Sequence, residues 1–500
     1  MKKYNVLFVF ILIFVVFAQA QPKFEFRAVW VATVNNIDWP SKPGLSAEQQ
    51  QKEIIDILNM HQSLGMNTII LQVRPAADAF YLSELEPWSR YLCGMSGKAP
   101  EPFYDPLKFW IDECHRRGME LHAWLNPYRV AQNASEPLAG NHIAFQHPDW
   151  ILQYGNKLYF DPGIPGARLF VVKVVKDIIS RYDVDAIHFD DYFYPYPLAE
   201  PFPDTTSFRL YGRGFFLENK ADWRRENVDI LIKMLNDTIK ATKPWVKFGI
   251  SPFGVWRNIA DDPNGSDTKA GTTNYDQLYA DVIKWQEKGW IDYLLPQLYW
   301  QIGHPQVDFE ILIDWWKNHG YGRGMYIGQA PFKVDKNSTI PEWTLPDELP
   351  KQIDLIRNTP GIGGSAFYSS KHFLRDLIGF QDSLKQNLYK YQALVPAMPW
   401  IDNTPPQPVT KFKRKGKKVK WEVAPAQNEM DRPVKFLIYV NLPGQLLNTE
   451  DPGNFIPLIS GNEYQFERFN KKKKKYEVRI SVLDRLNNES VLSKPVIVKL

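Results

Sequence analysis

From Gln21 to about residue 390, short apolar runs alternate with amphipathic stretches at a steady pace, the rhythm of parallel βα units. The first run, Arg27 to Thr33, precedes a helical pattern that starts at Ser46, with Gln49 at the capping-box position, and ends at Gly65. Thr68 to Arg74 is the second strand; after a long loop comes a helix from Pro106 to Arg117. The third strand is Glu120 to Asn126, followed by a helix from about Ala167 to Tyr182. The fourth is the segment Asp185-Ala-Ile-His-Phe-Asp-Asp-Tyr-Phe-Tyr-Pro195. The second half repeats the alternation. Helices Trp223 to Thr242, Tyr275 to Lys288, Asp308 to His319 and Leu349 to Asn358 lead to strands Val246 to Ser251, Ile291 to Tyr299, Gly324 to Gln329 and Gly363 to Tyr368. A helix from Phe373 to Asn387 ends the series. Eight strands and eight helices in this order predict an α/β fold, a (β/α)8 TIM barrel over residues 21–395.

Residues 396–408 hold five prolines and read as a stiff linker. Beyond it, over 409–500, short alternating strands (Val419 to Val423, Lys435 to Val440, Tyr476 to Leu483, Pro495 to Lys499) are separated by turn signals. They predict a small all-β, fibronectin type III-like sandwich. The Lys471 to Lys475 run falls between two strands and reads as a solvated hairpin tip.

At the other end, residues 1–20 have Lys2 and Lys3, an apolar run from Val6 to Phe17, then Ala18-Gln19-Ala20. That is the order of a cleavable signal peptide, so the mature chain is expected to be secreted or periplasmic, without an integral membrane segment. Only Cys93 and Cys114 occur, which excludes a disulfide scaffold. Charge divides unevenly: residues 404–500 carry 19 Lys and Arg against 10 Asp and Glu, while 21–403 carry 39 against 46. An acidic body with a basic appendage suits an envelope protein whose C-terminal domain contacts anionic polymer; nothing in the pattern marks a nucleic-acid partner.

The candidate chemistry lies at the strand ends. In the fourth strand Ile187 and Phe189 share one face, His188 and Asp190 the other, so apolar side chains point out to helices and polar ones point in. The other C-terminal ends are also polar or aromatic: Asp38 and Trp39; Gln72 and Arg74, then Asp78, Tyr81 and Glu84; Asn126, Tyr128 and Arg129; Asp191, Tyr192 and Tyr194; Ser251, Trp256 and Arg257; Gln297, Tyr299 and Trp300; Gln329; Tyr368 and Lys371. Buried charges and amides are costly unless paired, so a pocket explains this pattern better than packing does. No metal-ligand spacing is present, and no cofactor is expected.

Carboxylates surrounded by Trp, Tyr, Asn and Arg suit glycan binding and glycosidic cleavage, a reaction that needs a proton donor and a nucleophile or base. Asp190 is the expected nucleophile or base, kept ionised by Arg74. Asp191 is the second candidate. Asp78 and Glu84 are the leading donors, followed by Asp38, Glu200 and Asp204. Substrate-binding side chains are expected to be Arg74, Trp39, Tyr81, Asn126, Tyr128, His188, Tyr192, Trp256, Gln297, Tyr299, Trp300 and Tyr368. For the acidic residues a capping or surface role competes with a catalytic one.

Six motifs then stand in order: Phe26-Arg-Ala-Val-Trp-Val-Ala32; Gln72-Val-Arg-Pro75 with Asp78-Ala-Phe-Tyr81 and Pro87-Trp-Ser89; Ala123-Trp-Leu-Asn-Pro-Tyr-Arg129; His188-Phe-Asp-Asp-Tyr-Phe-Tyr-Pro195; Ser251-Pro-Phe-Gly254 with Trp256-Arg257; and Pro296-Gln-Leu-Tyr-Trp300. Together, over roughly Lys23 to Lys390, they resemble the glycosyl-hydrolase-like 10 family of bacterial envelope proteins. One departure is Ala77, where the family motif has Gly. The resemblance implies a glycoside hydrolase on a (β/α)8 barrel, some members acting on peptidoglycan strands stripped of their peptides. Two alternatives remain at this level: a hydrolase of a dietary or host polysaccharide, or a non-catalytic glycan-binding protein on a degenerate barrel.

Overall fold

The structure, a computed structural model, describes residues 21–458, 461–467 and 474–499. The expected leader, and residues 471–473 of the basic run, lie outside these. Parallel strands β1 (Phe26–Val31), β2 (Thr68–Arg74), β3 (Glu120–Leu125), β4 (Ala186–Phe189), β5 (Lys247–Ile250) and β6 (Tyr293–Leu294) lie side by side. The seventh strand, β7, comes in two halves, Gly324–Met325 and Ile327–Gln329, on either side of Tyr326. One half pairs with β6 and the other with β8 (Gly364–Phe367), and β8 pairs with β1. The ring therefore closes at eight strands.

Helices α1 (Ala47–Ser63), α2 (Pro106–Arg116), α3 (Pro165–Arg181), α4 (Lys220–Thr242), α5 (Val282–Glu287), α6 (Phe309–Lys317) and α7 (Glu348–Asn358) follow the expected order. Ser46 and Gln49 close the capping box at the start of α1. Two helices fall short of expectation. The one expected from Tyr275 begins at Val282, where the Asp281 side chain caps Lys284, because Asn274 ties the preceding loop to the Phe253 and Val255 carbonyls. The closing helix is broken by Gly379 in a left-handed conformation (φ 83°), leaving a 3-10 turn (Ser370–Leu374) and a short helix (Phe380–Ser383). A three-stranded sheet (Arg129–Ala131, Ile151–Tyr154, Lys157–Phe160) sits in the β3–α3 connection, unforeseen in the hydropathy pattern.

The period-two alternation holds around the ring. Val29, Val31, Ile69, Leu71, Val73, Ile187 and Phe189 pack outward, in the large core shared with the helices. Phe26, Ala28, Trp30, Ile70, Trp124, Tyr293, Tyr326 and Ala366 pack together inside the barrel. Val395 and Met398 belong to that inner cluster, and Trp400 Nε1 donates to Asp292 at 3.2 Å. The proline-rich segment is thus no free spacer: its first part stoppers the N-terminal end of the barrel, where an open ring would leave apolar side chains wet.

Two antiparallel sheets follow. One contains Thr410–Lys415, Lys418–Glu422 and Glu463–Gln465; the other contains Phe455–Leu458, Lys435–Asn441, Lys475–Leu483 and Val496–Lys499. They share a core of Val419, Trp421, Phe436, Ile438, Val478 and Ile480. This unit docks on the N-terminal end of the barrel, where Lys23 meets Glu489 (2.5 Å), Asn487 meets Glu120 (3.2 Å) and Arg485 pairs with Asp183.

Closure depends on Gly364. Its φ of 140° is open mainly to glycine, and a Cβ there would stand 2.1 Å from the Phe26 carbonyl oxygen. Gly364→Ala is expected to cost about 3 kcal/mol or more, read as a lower urea midpoint. An unchanged midpoint would show that β1 and β8 can separate freely.

Candidate functional site

At the C-terminal strand ends a pocket of ≈140 Å³ is lined by Trp30, Trp124, Asp190, Asp191, Tyr192, Ser251, Gln297, Tyr299 and Tyr368. Five of the nine are aromatic. A larger cavity, ≈340 Å³, lies at the opposite end beneath the C-terminal sheets; its lining holds no Trp or Tyr, and several of its charges are already paired with one another. The smaller pocket is the one that joins aromatic rings to a carboxyl pair.

Asp190 follows the last residue of β4 on the inward face, as its phase with His188 predicts. Its carboxylate accepts from Trp124 Nε1 (3.0 Å), Asn126 Nδ2 (3.4 Å) and the Tyr192 backbone N–H (3.4 Å). Asp191 accepts from the Tyr196 hydroxyl in a short hydrogen bond and from Gln297 Nε2 at 3.4 Å. Both carboxyls are buried, at 3% and 4% exposure. Burial, reinforced by the charge of Asp191, pushes the Asp190 pKa up to about 7, against the opposing pull of Arg129. Burial also raises Asp191, but the Tyr196 and Gln297 hydrogen bonds favour its ionised form. Both carboxyls are thus pushed toward their protonated forms, and they titrate as a coupled pair in which the Tyr196 and Gln297 hydrogen bonds favour Asp191 as the one to ionise.

The side chain expected to keep Asp190 ionised is engaged elsewhere. Arg74 forms a buried bidentate pair with Glu86 (2.6–3.0 Å) and donates to the Asn126 and Pro127 carbonyls. The cation that acts on both aspartates is Arg129, 5% exposed, which stacks over the Tyr192 ring at 4.6 Å.

The expected donors all lie outside the pocket lining. Asp78 is buried beside Ser89 and Glu86, with its pKa raised by burial to about 7. Glu84 and Glu200 are exposed. Asp204 is paired with Arg224 and Lys220. Asp38 clamps the β1 and β8 loops, accepting from Ala32 N, Ser369 Oγ and Lys371 N, with burial raising it to about 6. Among the described residues, Asp190 and Asp191 are the only carboxyls in the lining.

Of the expected binding residues, Tyr192, Gln297, Tyr299 and Tyr368 line the pocket, and Asn126 reaches it through Asp190. His188 lies just beneath, bonded to Ser251 Oγ at 3.0 Å. Trp39, Tyr81 and Tyr128 are core side chains, each 1% exposed or less. Trp256 stacks on Trp315 at 5.9 Å, and Trp300 packs edge-on against Phe253. Arg129 and Ser251 stood among the polar strand ends but were given no binding role, and neither were Trp30, Trp124 and Tyr196. For Trp30 and Trp124 the signal was available, since they alternate in phase with Ala28 and His122. Nothing local marks Tyr196, because the turn after Asp191 decides where its hydroxyl lands.

An inward carboxyl pair at the strand ends of an eight-stranded βα barrel, ringed by aromatic side chains, is the arrangement of carbohydrate-active enzymes. Residues 25–344 match the model of the glycosyl hydrolase-like 10 family, and the chain belongs to that family. It is 51% identical over 395 residues to glycosyl hydrolase YngK of Bacillus subtilis, a match covering 78% of this chain and 77% of that protein. It is 41% identical over 368 residues to glycosyl hydrolase DigH of Escherichia coli K12, covering 68% and 82% respectively.

If Asp191 raises Asp190 by like-charge repulsion, Asp191→Asn should lower the Asp190 pKa from about 7. A carbon-13 carboxyl titration by NMR measures this directly. A pKa that stays or climbs in the variant would contradict the electrostatic assignment.

Proposed function

We propose that this protein is a secreted glycoside hydrolase that cuts O-glycosidic bonds in cell-wall glycan strands freed of their peptides. The observation that carries the reading is the carboxyl pair: two buried carboxyls in one aromatic pocket, Asp190 pushed up to about 7 and able to hold a proton, Asp191 hydrogen-bonded by Tyr196 and Gln297 as the better-placed anion. Glycosidic cleavage needs those two states together. Asp190 delivers its proton to the departing glycosidic oxygen. Asp191, oriented by Tyr196 and Gln297, faces the anomeric carbon as the negative group, stabilising the positive charge that develops there, and the water that adds to that carbon returns a proton to the carboxyl pair. The rings of Trp30, Tyr192, Tyr299 and Tyr368 offer faces for sugar C–H groups, and Arg129 behind Tyr192 keeps that wall positive.

The hydrolase reading is supported by the relatives' printed names as glycosyl hydrolases, and the envelope setting by the secretory character of residues 1–20. The C-terminal unit, read as fibronectin type III-like and net basic, would hold the barrel near anionic wall polymer.

Asp190→Asn should lower kcat on peptide-free glycan strands by about a thousandfold, the usual scale of a general acid, with an unchanged circular-dichroism spectrum. Near-normal turnover would remove Asp190 from the chemistry. The pH dependence has a definite sign. A donor must be protonated, so turnover should fall as pH rises through about 7. A profile that instead gains activity across that range would assign Asp190 the ionised role.

A further inference from the structure

Beneath the pocket, a column of buried polar side chains runs the length of the barrel interior. His188 Nε2 meets Ser251 Oγ at 3.0 Å, and His188 Nδ1 meets the Tyr293 hydroxyl at 2.9 Å. The same hydroxyl meets His122 Nδ1 at 2.8 Å, and His122 Nε2 meets Glu120 Oε2 at 3.0 Å. Glu120, at the opposite end, is gripped by Lys247 Nζ at 2.6 Å and by Asn487 Nδ2 of the C-terminal unit at 3.2 Å. Each side chain from Glu120 to Ser251 is 5% exposed or less.

The donors and acceptors along this column can be ordered from either end. Burial opposes the charge on Glu120, but Lys247 and its neighbours outweigh it and hold the carboxyl ionised, so Glu120 can only accept. His122 Nε2 therefore carries a proton. Burial depresses both histidines, so each is neutral with one N–H and one lone pair. The His122 Nδ1 lone pair accepts from the Tyr293 O–H. The Tyr293 oxygen must then accept from His188 Nδ1–H. What remains at His188 Nε2 is a lone pair 3.0 Å from Ser251 Oγ; the other acceptor for the Ser251 hydroxyl, the Phe189 carbonyl, is farther at 3.3 Å, so the proton goes to His188. The upper end gives the same answer independently: the Trp30 indole N–H, which can only donate, points at His188 Nε2 from 3.4 Å.

We propose that this column is a one-way hydrogen-bond chain through which Glu120, at the domain junction, sets the polarity of Ser251 at the pocket floor. With its proton turned down to His188, Ser251 shows only lone pairs upward and accepts from a substrate hydroxyl. Glu120 and His122 are positioning residues, acting through His188. What Ser251 meets rests on the glycan reading above; the two tautomers do not.

The test is long-range proton–nitrogen NMR on the full chain labelled with nitrogen-15 histidine. Wild type should show His122 protonated at Nε2 and His188 at Nδ1. A His188 proton on Nε2 would overturn the chain, and this result needs no variant. The double variant Glu120→Gln with Lys247→Met removes the buried ion pair without stranding a charge. Asn487 then donates to the new carboxamide oxygen, leaving its NH2 to donate to His122 Nε2. Both histidines should invert, with His188 now protonated at Nε2. A folded double variant with an unchanged His188 tautomer would show that nothing is transmitted.

Inversion makes Ser251 accept from His188 and turns its proton to the Phe189 carbonyl or the pocket, so a lone pair offered to substrate is lost and KM for peptide-free glycan should rise about tenfold, the scale of one misdirected hydrogen bond. Inverted tautomers with an unaltered KM would overturn the role given to Ser251. If wild type cleaves no glycan at all, the tautomers still decide the chain, and only the hydrolase reading fails.

Discussion

Ring closure is the constraint on which the rest depends. Eight strand ends converge on one space only because β8 pairs with β1 and because β7, split at Tyr326, joins β6 on one side and β8 on the other. Closure requires a glycine where β8 meets the Phe26 carbonyl. It is braced at the N-terminal end by Glu25, whose carboxylate binds both Arg27 and Arg357 at 2.7 Å. The interior that results is too narrow for bulk water, so its polar side chains must satisfy one another. The His–Tyr–His column is one consequence. The raised proton affinity of Asp190 is another, since neither would exist in an open, hydrated cleft.

The barrel was legible because its signal is local. A strand flanked by helices outside and side chains inside must alternate with period two, and the phase of Ile187 and Phe189 against His188 and Asp190 is written in adjacent residues. Helix caps such as Ser46 with Gln49 are equally local. What could not be read depends on contacts distant in the chain. Arg74 was matched to the wrong carboxylate because its true partner, Glu86, follows a loop of unpredictable path. The segment after Val395 looked like a spacer from its prolines, yet Met398 fills the barrel end, a role visible only once the ring exists. Tyr275 was placed on a helix because the periodicity continues upstream of Val282, whereas Asn274 holds that stretch in a loop.

The site shows the same division. That Asp190 and Asp191 sit together at a strand end follows from the sequence. Which of them is better placed to ionise does not, because that depends on the Tyr196 hydroxyl and the Gln297 amide reaching Asp191 across the pocket. Adjacent carboxyls in one buried space resist ionising together, so hydrogen bonds to one of them are enough to separate their roles. Through the column beneath, the pocket also extends to the junction with the C-terminal unit, where Asn487 touches Glu120.

The central claim is that water is added across a glycosidic bond in this pocket. The most direct measurement is digestion of peptide-free glycan strands in oxygen-18 water, with mass analysis of the products. Hydrolysis in this pocket should give shorter strands carrying one heavy oxygen at each new reducing end. Strands that keep their full length, or shorten without taking up the label, would contradict it.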